Sequence, residues 1–193
     1  MKKLWKLLPV LLLLQITGLA QQSNNTELPA ITAANARAFF IPATVCSTFK
    51  VTEAKGDAVM KVYNNFSADA KLQRVNDIRW QATSKEEALQ WYQDNIAMLS
   101  EGGKEITDQV TKPAGVAAWN VYEASDAMKK MMAGMGVQQN QYTYTFVVDK
   151  YVAKIFVGVS NATSLKETWS FVKEGLIAVL KASGNPKLAS LVF

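Results

Sequence analysis

The stretch from Tyr142 to Val159 constrains the fold more than any other part of the chain. Tyr142, Tyr144, Phe146 and Val148 alternate with Thr143, Thr145 and Val147, a period of two that sends the two sets to opposite faces of a strand. Asp149-Lys150 supplies a two-residue turn, and Tyr151 to Val159 a returning strand. In that register Val148 faces Tyr151, Phe146 faces Ala153, Tyr144 faces Ile155 and Tyr142 faces Val157, so aromatic and branched side chains gather on one face. The other face carries Thr143, Thr145, Lys154 and Phe156, a more polar mixture. Such a sheet is expected to have one buried side, which a helix must cover.

A suitable helix follows directly. Ser164 and Glu167 have capping-box spacing, and Leu165, Trp169, Val172, Leu176 and Leu180 line one helical face before Ser183-Gly184 ends it. Burial of each large apolar side chain in that stripe contributes about 1.5–3 kcal/mol before conformational entropy is subtracted.

Upstream the periodicities are weaker. Val59, Val62, Tyr63 and Phe66 fall at helical spacing and predict a helix over 57–66. Val75, Ile78 and Trp80 predict a strand over 74–82, although their alternation is imperfect. Thr83 or Ser84 caps a helix, with Glu86 and Glu87 each three residues after a hydroxyl, and Ala88, Leu89, Tyr92, Ile96 and Leu99 as its apolar stripe. Glu101-Gly102-Gly103 is expected to stop it. A strand over 104–110, a turn at Lys112-Pro113-Ala114-Gly115 and a strand over 116–123 read as a hairpin. Ser125-Asp126 then opens a short helix that ends around Gly134 to Gly136. The expectation is one α+β domain over 35–193, a largely antiparallel sheet built from hairpins and covered by amphipathic helices.

The N-terminus reads as an export signal. Lys2, Lys3 and Lys6 precede an apolar run from Leu7 to Leu14, and Gly18 and Ala20 place small residues before a cleavage point at Gln21. The run is too short for a spanning helix, which needs about 20 apolar residues, so no stable membrane anchor is expected after removal of residues 1–20. Residues 21–34 are polar and read as a flexible lead-in. No Cys follows the cleavage point, so the chain is not read as a lipoprotein. The short, Lys-led leader looks bacterial and predicts a periplasmic or secreted protein. Loss of three lysines takes the formal charge from +5 to +2, and basic residues are scattered among acids, so no nucleic-acid track is expected.

Composition narrows the chemistry. The chain has no His and one Cys. Imidazole bases, Ser-His and Cys-His dyads, His-ligated metal sites, internal disulfides and Cys-x-x-Cys redox pairs are therefore excluded. The lone thiol, Cys46, lies between Val45 and Phe49 and is expected to be buried. No phosphate-binding Gly motif occurs; Gly102-Gly103-Lys104 follows a helix where a phosphate loop would precede one. No cofactor or metal is expected. A hydrolase working through two carboxylates alone is the remaining catalytic alternative, with Glu86, Glu87, Asp94, Glu101, Glu105 and Asp108 as available acids.

The candidate binding residues are methionines and one tryptophan. Met128, Met131, Met132 and Met135 recur at i, i+3, i+4 and i+7, which puts four of the six non-initiator methionines on one helical face. Thioethers select Cu(I), or line a pocket for an apolar ligand or partner, or form the core face of a helix whose Lys129 and Lys130 face solvent. The core reading is the simplest. Trp91 falls one residue off the Leu89–Ile96 stripe and is the aromatic best placed for an exposed contact. The functional expectation is an exported, non-catalytic domain that binds an apolar small molecule, an envelope component or a protein, with an accessory subunit of an envelope complex as a further alternative.

Overall fold

The computed structural model describes Phe40, Val59–Asn64 and residues 71–183. The leader, the lead-in, Cys46 and the segment from 184 onward lie outside the described residues. Strands β1 (Val59–Asn64), β2 (Leu72–Gln81), β3 (Lys104–Glu105), β4 (Ala118–Glu123), β5 (Gln139–Val148) and β6 (Tyr151–Ser160) form an antiparallel sheet in the order β1-β2-β6-β5-β4-β3. The helices are α1 (Lys85–Asp94), α2 (Ile96–Ser100), α3 (Asp126–Gly134) and α4 (Leu165–Ala182). This is an α+β domain. Among the described residues, no helix is long and apolar enough to cross a membrane.

The β5–β6 hairpin has the register that alternation predicts, with Val148 opposite Tyr151, Phe146 opposite Ala153 and Tyr144 opposite Ile155. Asp149 makes its tight turn by adopting a left-handed φ of 51°. Beneath α4 the apolar face closes into an aromatic cluster. Trp169 meets Trp119 edge-on at 5.4 Å between centroids, and Tyr144 lies 5.9 Å from Trp169. The Ser164–Glu167 capping box forms as spaced, and α4 runs to Ser183 as its C-cap. Gly175 lets this helix approach closely: a Cβ there would lie 2.6 Å from both Ile155 Cδ1 and Phe40 Cδ1.

Both faces of the sheet are covered, not one. The connection from β2 must cross from the second strand position to the far edge at β3, and α1 and α2 make that crossing over the second face. Ala88, Tyr92 and Leu99 bury there against Trp80, Val147 and Val152. The polar residues of this face are matched by polar groups on the helices. Tyr92 Oη lies 2.7 Å from Asn120 Oδ1 and 2.8 Å from Thr145 Oγ1, and Lys154 Nζ donates to Glu101 Oε1 at 2.6 Å. Thr143, Thr145 and Lys154 are therefore buried.

Three local expectations change. The segment predicted as a helix over 57–66 is described only at 59–64, where it is the edge strand β1, with Val62 opposite Asn76 and 45% exposed. Helical spacing of four apolar residues in ten is matched by chance in a β-branched segment, and pairing with β2 decides the outcome. The helix from Ser84 to Leu99 is broken at Asn95, whose side chain donates to the Trp91 carbonyl at 2.8 Å. The strand predicted over 104–110 is shortened to two residues, because Thr107–Gln109 turns as a 3-10 helix and Thr107 Oγ1 accepts from the Val121 amide.

Candidate functional site

Helix α3 rests against the β4–β5 side of the sheet. Ser125 is its N-cap, and Ser125 Oγ accepts from the Met128 amide at 3.3 Å. At the other end the Met135 amide donates to the carbonyls of Met131 and Met132, and Gly136 at φ 76° turns the chain so that the Val137 amide reaches the Met132 carbonyl. Lys129 Nζ pairs with Glu123 Oε2 at 2.8 Å and ties the helix to β4; Lys104 lies on the second oxygen at 3.4 Å. The bond from Lys129 holds the Glu123 carboxyl below its ordinary range. Lys129 is half-buried in this role, while Lys130 is exposed.

The four thioethers do not share one environment. Met132 is 5% exposed, with Gln139 Nε2 donating to its Sδ at 3.9 Å. Met128, one turn earlier, is half-buried. Met131 and Met135 are 41% and 63% exposed. A single stripe in the sequence thus divides into an inner pair, 128 and 132, and an outer pair, 131 and 135, each at i, i+4. The helix lies at the margin of the domain, where only the side chains nearest the sheet find cover. Val137, just past the helix, is 39% exposed.

Next to α3 lies a small cleft, lined by Glu101, Glu123, Met128, Gln141, Thr143 and Phe156 among others, with room for about 30 Å³. Space of that size holds a water-sized guest. Its floor is the second face of β5 and β6, and its wall is the turn from α2 to β3, where Glu101 and Gly102 take φ values of 53° and 69°. Gly103 is needed for closeness: a Cβ there would lie 2.7 Å from the Glu123 carbonyl oxygen. Both cleft carboxylates are bound to ammonium groups, Glu101 to Lys154 and Glu123 to Lys129 and Lys104. Burial pushes the nearby Tyr122 hydroxyl up to about 12, with Glu105 adding to the shift.

Of the candidate binding residues and available acids named from the sequence, Met128 and Glu101 reach the cleft. Trp91 lies elsewhere, half-buried with its ring 4.9 Å from that of Trp80, in the layer between α1 and β2. Its Nε1 is buried without a hydrogen-bond partner among the described residues. Spacing along α1 places Trp91 beside the core stripe, and there it packs against Trp80 of β2. The cleft residues Glu123, Gln141 and Thr143 gave no signal in the sequence, since each occupies an ordinary position in a strand. Among the described residues, no group of three acidic or thiol side chains is arranged to hold a metal ion. No protein-family model matches the chain, and neither a curated protein nor a solved structure matches it.

Proposed function

We propose that the chain is an exported, non-catalytic binding domain whose partner is a protein or another envelope component, engaged through the outer face of α3. The observation that carries this reading is the joint exposure of Met131, Met135 and Val137 at one margin of the domain. Flexible, polarizable thioethers adapt to irregular apolar surfaces, which suits them to contact with a partner. An apolar small molecule has less support, because the cleft admits about 30 Å³ and such ligands occupy sites of several hundred. A carboxylate hydrolase has less support for a different reason: the two cleft carboxylates, Glu101 and Glu123, are both engaged in ion pairs with lysines. An accessory subunit of an envelope complex would use the same outer face in a permanent contact.

A photo-crosslinking amino acid placed at position 135, with position 90 on α1 as control, tests the contact in the native compartment. A discrete adduct from 135 and none from 90 is expected; adducts from neither, or equally from both, sink the proposal. Export is checked separately by the mass of the mature chain. A start at Gln21 supports it, and retention of Met1 removes it.

A further inference from the structure

The large apolar side chains left exposed among the described residues are Val62, Met98, Met131, Met135 and Val137. Three of these five are methionines, and two of the three share the outer face of α3. A thioether differs from leucine in one chemical respect that matters at a surface: its sulfur lone pair is nucleophilic, and peroxides oxidise it to a sulfoxide. The product is polar, so oxidation removes the apolar character that made the residue useful in a contact. The same helix contains its own reference, because Met132 is buried with Gln139 against its sulfur.

We infer that α3 is a methionine-oxidation site at which Met131 and Met135 react with peroxide-class oxidants while Met132 is shielded. The outer face then switches from apolar to polar without loss of the helix. In each step a sulfur lone pair attacks one peroxide oxygen. The S–O bond forms as the O–O bond breaks, and the departing hydroxide takes the proton from the oxygen now on sulfur, leaving the sulfoxide and water. Sulfur is oxidised by two electrons and the peroxide is reduced by two. The fold tolerates the change because the bonds that end α3 are between backbone groups: Met135 N–H to the Met131 and Met132 carbonyls, and Val137 N–H to the Met132 carbonyl. The biological consequence, release of a partner, rests on the binding role proposed above; the selectivity rests on exposure alone.

The test is a hydrogen peroxide titration of the full chain carrying Met98→Leu, with sulfoxides mapped by peptide mass spectrometry and helicity followed by circular dichroism. Positions 131 and 135 are expected to oxidise at least about tenfold faster than 132, with the dichroism unchanged. Treated protein is expected to elute earlier from a phenyl column, whereas the same chain with Met131→Leu and Met135→Leu keeps its retention. Oxidation of Met132 at the same rate as its neighbours overturns the inference, as does an equal loss of retention in the leucine variant. The mapping needs no partner, so its failure is separate from a failure of the cross-linking experiment.

Discussion

Arg79 and Asp77, two residues apart on the core face of β2, form an ion pair sealed beneath α4. Arg79 Nε lies 2.8 Å from Asp77 Oδ1, and Arg79 Nη2 lies 2.5 Å from Asp77 Oδ2. The same Nη2 reaches the Gly175 carbonyl at 3.3 Å, so the pair also ties α4 to the sheet. Lys61 on β1 stands opposite Asp77 in register. Burial holds its ammonium below the ordinary pKa, Asp77 opposing that shift and Arg79 adding to it.

Removing one member of such a pair is costly because a guanidinium remains in a low-dielectric site. Asp77→Ala is expected to lower stability by about 3–5 kcal/mol, measured by urea unfolding. Replacing both residues by apolar ones of similar volume, Asp77→Leu with Arg79→Met, should cost less than the single change. A double variant less stable than Asp77→Ala would show that the pair itself, and not charge burial, dominates.

At Gly175 two effects oppose each other. Alanine is the better helix former by about 1 kcal/mol. However, its Cβ would press 2.6 Å from Ile155 and Phe40, and overpacking of that kind costs about 1–3 kcal/mol. The steric term is expected to win, so Gly175→Ala lowers the thermal midpoint. A raised midpoint would mean that Phe40 yields freely.

Tyr92 joins α1 to the sheet through its hydroxyl, which contacts Asn120 Oδ1 and Thr145 Oγ1. Tyr92→Phe keeps the ring and strips the shared partner from two polar groups. An expected loss of about 1–2 kcal/mol, read from denaturant midpoints, follows from the desolvation of those groups. Thr145 Oγ1 also donates to the Asn120 carbonyl at 3.2 Å, so Thr145→Val in the same background is expected to lower stability further. A recovery of stability would show that the hydroxyl is left unsatisfied without Tyr92.

Acid sensitivity centres on Glu167. The Ser164 amide and hydroxyl and the Lys71 ammonium, 2.9 Å away, lower its pKa from 4.5 to about 2. A depressed carboxylate pKa stabilises the fold at pH above the unfolded value, and that contribution is lost as pH falls through the folded one. Stability is therefore expected to decline between pH 4.5 and about 2 in part through this group. Glu167→Gln should flatten that part of the pH profile of the urea midpoint. Identical slopes for the two proteins would exclude Glu167 as a contributor.

The imperfect alternation of β2 has its explanation in the same ion pair. Val75, Asp77 and Arg79 point to one face, and Asn76, Ile78 and Trp80 to the other, so a strict period of two is present but its core face carries charge. Hydropathy sees a broken pattern where geometry is regular. The methionine stripe fails in the opposite way: its period is correct, yet exposure depends on how far α3 extends beyond the sheet, which the residues of α3 do not encode.

Local chemistry was enough to read the β5–β6 hairpin with its register, the capped helix α4, a start of α1 at Thr83 or Ser84, the cap of α3 at Ser125 and the α+β class; the fold makes Ser84 the N-cap of α1. Each depends on residues within one turn or one strand pair. Tertiary structure alone decided that residues 59–64 pair as an edge strand, that the polar face of the hairpin is buried under α1 and α2, and that the four methionines divide into an inner and an outer pair. These outcomes depend on what a segment meets across the sheet. A long-range partner changes the free energy of burial by more than the few tenths of a kcal/mol, roughly, that separate local preferences.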